Sequence, residues 1–165
     1  MLNALIESIE QFFIAINPSF GVFMVSMIPI IELRGAIPLG ILTLKLNWLW
    51  VYFISIIGNM LPIPFVILLI RPLIDWLIHS NLFHKVGKWL DNRTKKKTKD
   101  VTKFKKLGLM IFVAIPLPGT GAWSGAMIAG MLNMRLKDSL PSIFAGVLIA
   151  GTAMAIISKF FQFLI

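Results

Sequence analysis

The chain reads as an all-α integral membrane protein built as an inverted-topology repeat, with two re-entrant helical hairpins, two long transmembrane helices and amphipathic interfacial helices. Three observations lead there. Hydrophobic residues make up 58% of its 165 residues and charged residues only 14%, against about a quarter charged in soluble domains. Four charge-free runs, residues 11–31, 46–70, 107–134 and 139–158, approach or exceed the ~20 residues that cross a bilayer. Two of these runs also match each other. A shift of 87 positions brings Gly21 onto Gly108 and Ile28-Pro29 onto Ile115-Pro116; past the break, a shift of 90 brings Gly35-Ala36 onto Gly125-Ala126 and Gly40 onto Gly130. Proline-broken hydrophobic arms that occur twice in one chain mark repeat-built membrane folds.

The expected organisation is a single transmembrane domain over 1–165: repeat 1 at 1–72, a basic amphipathic segment at 82–106, and repeat 2 at 107–165 with its lead helix inside 82–106. Residues 3–16 space Leu5, Ile6, Ile9, Phe12, Phe13 and Ile16 at helical intervals around Glu7 and Glu10, which suits an interfacial helix. With two acids, no basic start and no small-residue cleavage site, this stretch does not read as a cleaved signal peptide. The first hairpin follows, with residues 20–28 entering, a break over 29–38 that contains Pro29 and Pro38, and 39–46 returning.

Residues 46–70, closed by Arg71-Pro72, form the first span. Gly58, Asn59, Pro62 and Pro64 within it predict a kink packed against protein, because freed carbonyls need partners in hydrocarbon. Asn59 reads either as part of that bend or as the lining of a polar cavity. Next comes the charge. Residues 84–106 hold ten Lys/Arg against Asp91 and Asp100, so they carry +8 of the net +9. No nucleic-acid motif accompanies them, and the positive-inside rule assigns them to a cytoplasmic loop, where Lys95, Lys96 and Lys97 meet anionic lipid headgroups. The first span therefore runs from outside to inside.

In the second hairpin, residues 107–115 are too short to cross the ~30 Å hydrocarbon core as a helix. Pro116, Pro118, Gly119 and Gly121 then break the chain, and 122–134 return toward Arg135 and Lys137, which carry the same sign as the loop before. The final span, 139–165, runs from inside to outside. The two halves thus thread in opposite senses, and their hairpin tips meet near the midplane.

The chemistry-bearing residues gather at those tips. Glu32 and Arg34 fall in the first break, and charges at membrane depth persist where they pair or face a water-filled cavity. One reading is an ion pair that holds the tip. The other has Arg34 meeting an anionic substrate group while Glu32 exchanges a proton. The second tip places Gly119 and Gly121 at the equivalent positions. There Pro118, Gly119, Thr120, Gly121, Trp123 and Ser124 offer backbone N–H groups and hydroxyls at a helix start, which form either an anion nest or a turn that only permits packing. The turn lacks the Lys and spacing of a nucleotide loop. No cysteine is present, and His79 and His84 have no third ligand nearby, so no metal site and no cofactor are expected. A lone Glu32 does not make an enzyme.

The motif Glu32-x-Arg34-Gly35-Ala36-Ile37-Pro38, together with Pro116-x-Pro118-Gly119-Thr120-Gly121-Ala122-Trp123-x-Gly125, resembles the small multidrug export protein family, itself distantly similar to the DedA/VTT superfamily. The resemblance covers nearly the whole chain. It implies a multi-pass protein of a prokaryotic inner (plasma) membrane, and its DedA-like side implies translocation of lipids such as polyprenyl phosphate, with proton coupling. The second hairpin here lacks the arginine that DedA relatives carry. The expected function is a membrane transporter of a lipid or small amphipathic, anionic or phospholipid-like substrate, with membrane lipids and protons as partners, no nucleic acid, and a homodimer on packing grounds. The alternative is a membrane scaffold acting through its Lys-rich segment.

Overall fold

The computed structural model describes residues 14, 16–79, 100–117 and 119–164, and all regular structure among them is helical. Helix α1 (Pro18–Met27) begins where the Asn17 side chain accepts the N–H groups of Ser19 at 2.8 Å and Phe20 at 3.3 Å, with Pro18 in the first turn, where its missing donor costs nothing. A turn over 28–31 reverses the chain into α2 (Glu32–Pro38), which runs directly into a π-helical turn, Leu39–Thr43. Asn47 caps α3 (Trp48–Met60) in the same way as Asn17 caps α1. After a bend at 61–62 come α4 (Ile63–His79), α5 (Asp100–Ala114), α6 (Ala122–Met131) and α7 (Leu136–Leu164). Among the described residues, two stretches are long and apolar enough to cross a membrane: Trp48–Ile70, counted through the bend, and Leu136–Leu164.

Several boundaries differ from those the sequence suggests. The first break occupies 28–31 rather than 29–38, so Glu32 and Arg34 stand on a helix. Pro38 does not end that helix. Without an N–H for the Arg34 carbonyl it passes the chain into a wider turn, in which the Leu44 N–H bonds the Leu39 carbonyl five residues back at 3.0 Å. Arg71-Pro72 likewise fails to stop α4, which continues to His79 with one ladder bond missing. The arm entering the second hairpin is not the nine residues 107–115 but the fifteen of α5, which take in the lysines from 103 onward. Charged side chains at one end of a helix leave its backbone bonds intact. Of the interfacial helix expected over 3–16 only residues 14 and 16 are described, and the basic segment through 99, with Lys95, Lys96 and Lys97, lies outside the described residues.

Each entering arm lies along the span that follows its hairpin. On one side the Trp50 indole donates to Ser19 Oγ at 3.1 Å, and a Cβ on Gly58 would stand 2.5 Å from the Phe23 carbonyl oxygen. On the other, Lys106 pairs with Asp138 at 2.8 Å, and a Cβ on Gly146 would stand 2.7 Å from the Met110 carbonyl oxygen. Phe23 and Met110 are 87 positions apart, the offset of the sequence match. Such backbone approaches need small residues because helices in lipid associate by close packing. The returning arms cross over. α2 packs on α7, where the Gln162 amide donates to the Ile41 carbonyl at 3.3 Å, and α6 packs on α4, where Gly130 faces Ile70. The core sits between them, with Val22, Ile37, Val51, Val113, Ala126 and Val147 essentially free of solvent.

Candidate functional site

The two tips meet. Glu32 opens α2 just after the 28–31 turn, its N–H bonded to the Ile28 carbonyl at 2.9 Å and its φ at +52°, in the left-handed region that a side-chain-bearing residue rarely adopts. The side chain is 5% exposed. Its Oε2 accepts from Arg34 Nη1 at 3.0 Å, and its Oε1 accepts the Trp123 N–H at 3.2 Å. That N–H lies in the first turn of α6. Gly121, the residue before it, offers no side-chain cap of its own, and a Cβ there would overlap the Glu32 carboxyl. A carboxylate from the first hairpin therefore caps a helix of the second, at the end where the helix dipole favours an anion.

Arg34 does the converse. Its Nη2 faces the carbonyl oxygens of Thr120 at 2.7 Å, Ile115 at 2.9 Å and Val113 at 3.2 Å, and Thr120 Oγ1 at 3.3 Å. Two of these carbonyls belong to the C-terminal end of α5 and the residue after it, where the dipole favours a cation. The Thr120 hydroxyl lies 2.7 Å from the Ile115 carbonyl and 2.8 Å from that of Leu117, which holds the second break in shape. Arg34 Nε is buried with no hydrogen-bond partner among the described residues. The guanidinium fork thus gathers backbone carbonyls that a proline-broken helix leaves open.

Of the other residues singled out from sequence, Gly119 takes φ +83° at the exposed outside of the second tip, and Pro29 and Pro116 flank the two turns. Ser124 lies in the first turn of α6 and takes no part in the cluster's hydrogen bonds, while the Trp123 indole N–H is buried without a partner among the described residues. Pro118 lies outside the described residues. Asn59 is fully buried on α3 one turn beyond Ser55, beside the glycine that meets α1, and its amide makes no hydrogen bond, to Glu32 and Arg34 or elsewhere, among the described residues. Sequence reasoning missed the backbone acceptors before the turn, the carbonyls of Val113 and Ile115. The signal was present in the prolines and glycines that free such groups, but it does not say which side chain will take them.

Compared with known proteins, residues 32–153 match a family model described as "Putative small multi-drug export protein". The matched region begins at Glu32, just after the first turn, and takes in Arg34 and the whole second tip. No curated protein and no solved structure matched the chain.

Proposed function

The chain belongs to the small multi-drug export protein family, and from that premise we propose that it is a membrane transporter whose substrate passes the junction of the two hairpin tips. The observation that carries this reading is the Glu32 carboxylate on the α6 N-terminus beside Arg34. A helix N-terminus with a guanidinium at its side is a site for any anion. Here the protein's own carboxylate fills it, so an anionic group of an amphipathic or phospholipid-like substrate competes with Glu32. A proton taken up by Glu32 would release both Arg34 and the helix N-terminus to the substrate.

In this reading the two hairpins are re-entrant and the halves form an inverted repeat of DedA-like type, with the tips closing a midplane gate. Supporting it are the glycine contacts that recur at an offset of 87 on the arms and the crossed packing of each returning arm on the other half's span. The membrane would be a prokaryotic plasma membrane, with the basic segment 84–106 on its cytoplasmic side.

The test is export of a fluorescent amphipathic anion from proteoliposomes. Glu32→Gln and Arg34→Ala are each expected to abolish export while the protein still inserts. Undiminished export by both variants would remove the tips from the transport path. Loss of activity only on neutralising Lys95, Lys96 and Lys97 would instead favour the scaffold reading.

A further inference from the structure

A second feature lies away from the tips. α3 and α7 cross near the end of the molecule where α3 begins and α7 ends, and between them opens a cleft of about 500 Å3. Trp48 at the start of α3 and Lys159 toward the end of α7 line it together with Phe53, Ile156, Tyr52 and Thr152, and the hydroxyl oxygens of Tyr52 and Thr152 lie 3.2 Å apart. The Thr152 hydroxyl is satisfied by the Leu148 carbonyl at 2.8 Å. α7 and the stretch Trp48–Ile70 that α3 begins are both of spanning length and composition, so the cleft between them faces sideways, where a membrane protein meets lipid.

We infer that this cleft is a binding site for an anionic phospholipid, with an acyl chain lying along Phe53 and Ile156 and the headgroup phosphate on the Lys159 ammonium. Three observations select that occupant. The volume falls within the range of small-ligand clefts, about 300–1,000 Å3. Among the described residues the charge on these two helices and the turn before α3 is of one sign: Lys45 and Lys159 are present, and no acidic residue occurs in 33–74 or 139–164. The position of the cation is also set, because Lys159 donates to Gln162 Oε1 at 3.2 Å while the Gln162 amide is anchored on the Ile41 carbonyl. Trp48 beside it is the side chain that sits at headgroup level in membrane proteins, and the aliphatic stem of Lys159 lets its charge reach that level. A lipid held there would tie together the two spans on whose faces the hairpins pack. The inference does not depend on what passes the tips.

The full chain in detergent is the material for the test. Native mass spectrometry compares retention of phosphatidylglycerol with that of phosphatidylcholine of the same acyl composition, while size-exclusion chromatography reports the oligomeric state. The wild-type chain is expected to retain phosphatidylglycerol preferentially. Lys159→Gln should reduce that preference about five-fold, the size of effect one basic side chain has near an anionic surface. Lys45→Gln, outside the cleft, should leave it, and Ile156→Trp, which fills the cleft from an exposed position, should lower retention of both lipids. Equal retention of the two lipids by the wild type would mean non-selective annular lipid and overturn the inference. So would a preference untouched by Lys159→Gln, or a stable dimer in which a second copy excludes lipid from the cleft.

Discussion

The two hairpin tips are built on one plan and carry opposite kinds of chemistry. Each is a hydrophobic arm stopped at an Ile-Pro pair, Ile28-Pro29 in one and Ile115-Pro116 in the other. The first tip contributes formal charges, Glu32 and Arg34, from a short helix that resumes after four residues. The second contributes no charge, but it has a longer break and offers backbone groups to the first: carbonyls at Val113, Ile115 and Thr120 and the N–H of Trp123. The matching Ile-Pro arms supply two apposed turns, and the differences between them make them fit. Two charged tips would repel or leave buried ions unpaired, and two backbone tips would leave buried helix ends unsatisfied.

That complementarity can be broken from the uncharged side. Gly121→Ala adds a single methyl where the Glu32 carboxyl lies, although its backbone, with φ −94°, accepts alanine. Expelling the carboxyl separates a buried pair, and such separations cost about 3 kcal/mol or more. The expected result is a marked drop in thermal unfolding midpoint in detergent. Gly119→Ala is the control: it stands in open space at φ +83°, so only the backbone cost of about 1 kcal/mol applies. Equal losses in the two variants would mean that Glu32 does not sit on the α6 N-terminus.

A smaller effect is expected from the charged side when charge is kept and geometry lost. Arg34→Lys retains a cation beside Glu32 but lacks the second nitrogen that lets Nη1 hold the Glu32 carboxylate while Nη2 holds the carbonyls of Val113 and Thr120, so about 2 kcal/mol should be lost, read in the same unfolding experiment. If lysine matched arginine, the fork would have no role and the junction would reduce to a point charge. The smallest change should come from Thr120→Val, which deletes the hydroxyl that braces the second break against Ile115 and Leu117 and costs about 1 kcal/mol. Combined with Arg34→Lys it should be less than additive, because the two side chains share the Ile115 carbonyl.

Much of the architecture was legible in the chain. The spans at Trp48–Ile70 and Leu136–Leu164 follow from uninterrupted apolar length, and the second break at 115–121 from its prolines and glycines. Helix ends were read less well where proline was the guide. Pro38 is the last residue of α2 and leads straight into the π-helical turn, and Pro72 lies inside α4; the cost of a proline, about 3 kcal/mol in a helix interior, does not by itself end a helix that packing holds. The site was legible in half. Glu32 and Arg34 stand out as charges in a hydrophobic run, and residues 118–124 as an anion-accepting turn, yet nothing in either motif says that the carboxylate of one fills the turn of the other.

The sequence by itself determined that this is a helical membrane protein with two proline-broken arms and an unequal pair of tips. Hydrophobic length, charge placement and backbone-breaking residues are local properties, and each acts within a few turns of where it stands. The tertiary structure decided which free backbone groups meet which charges. Glu32 reaches Trp123 across 91 positions and Arg34 reaches Thr120 across 86. Those partners are main-chain atoms that every residue carries, so no side-chain pattern announces them; they become specific when the arms pack and bring one broken helix end against one buried ion.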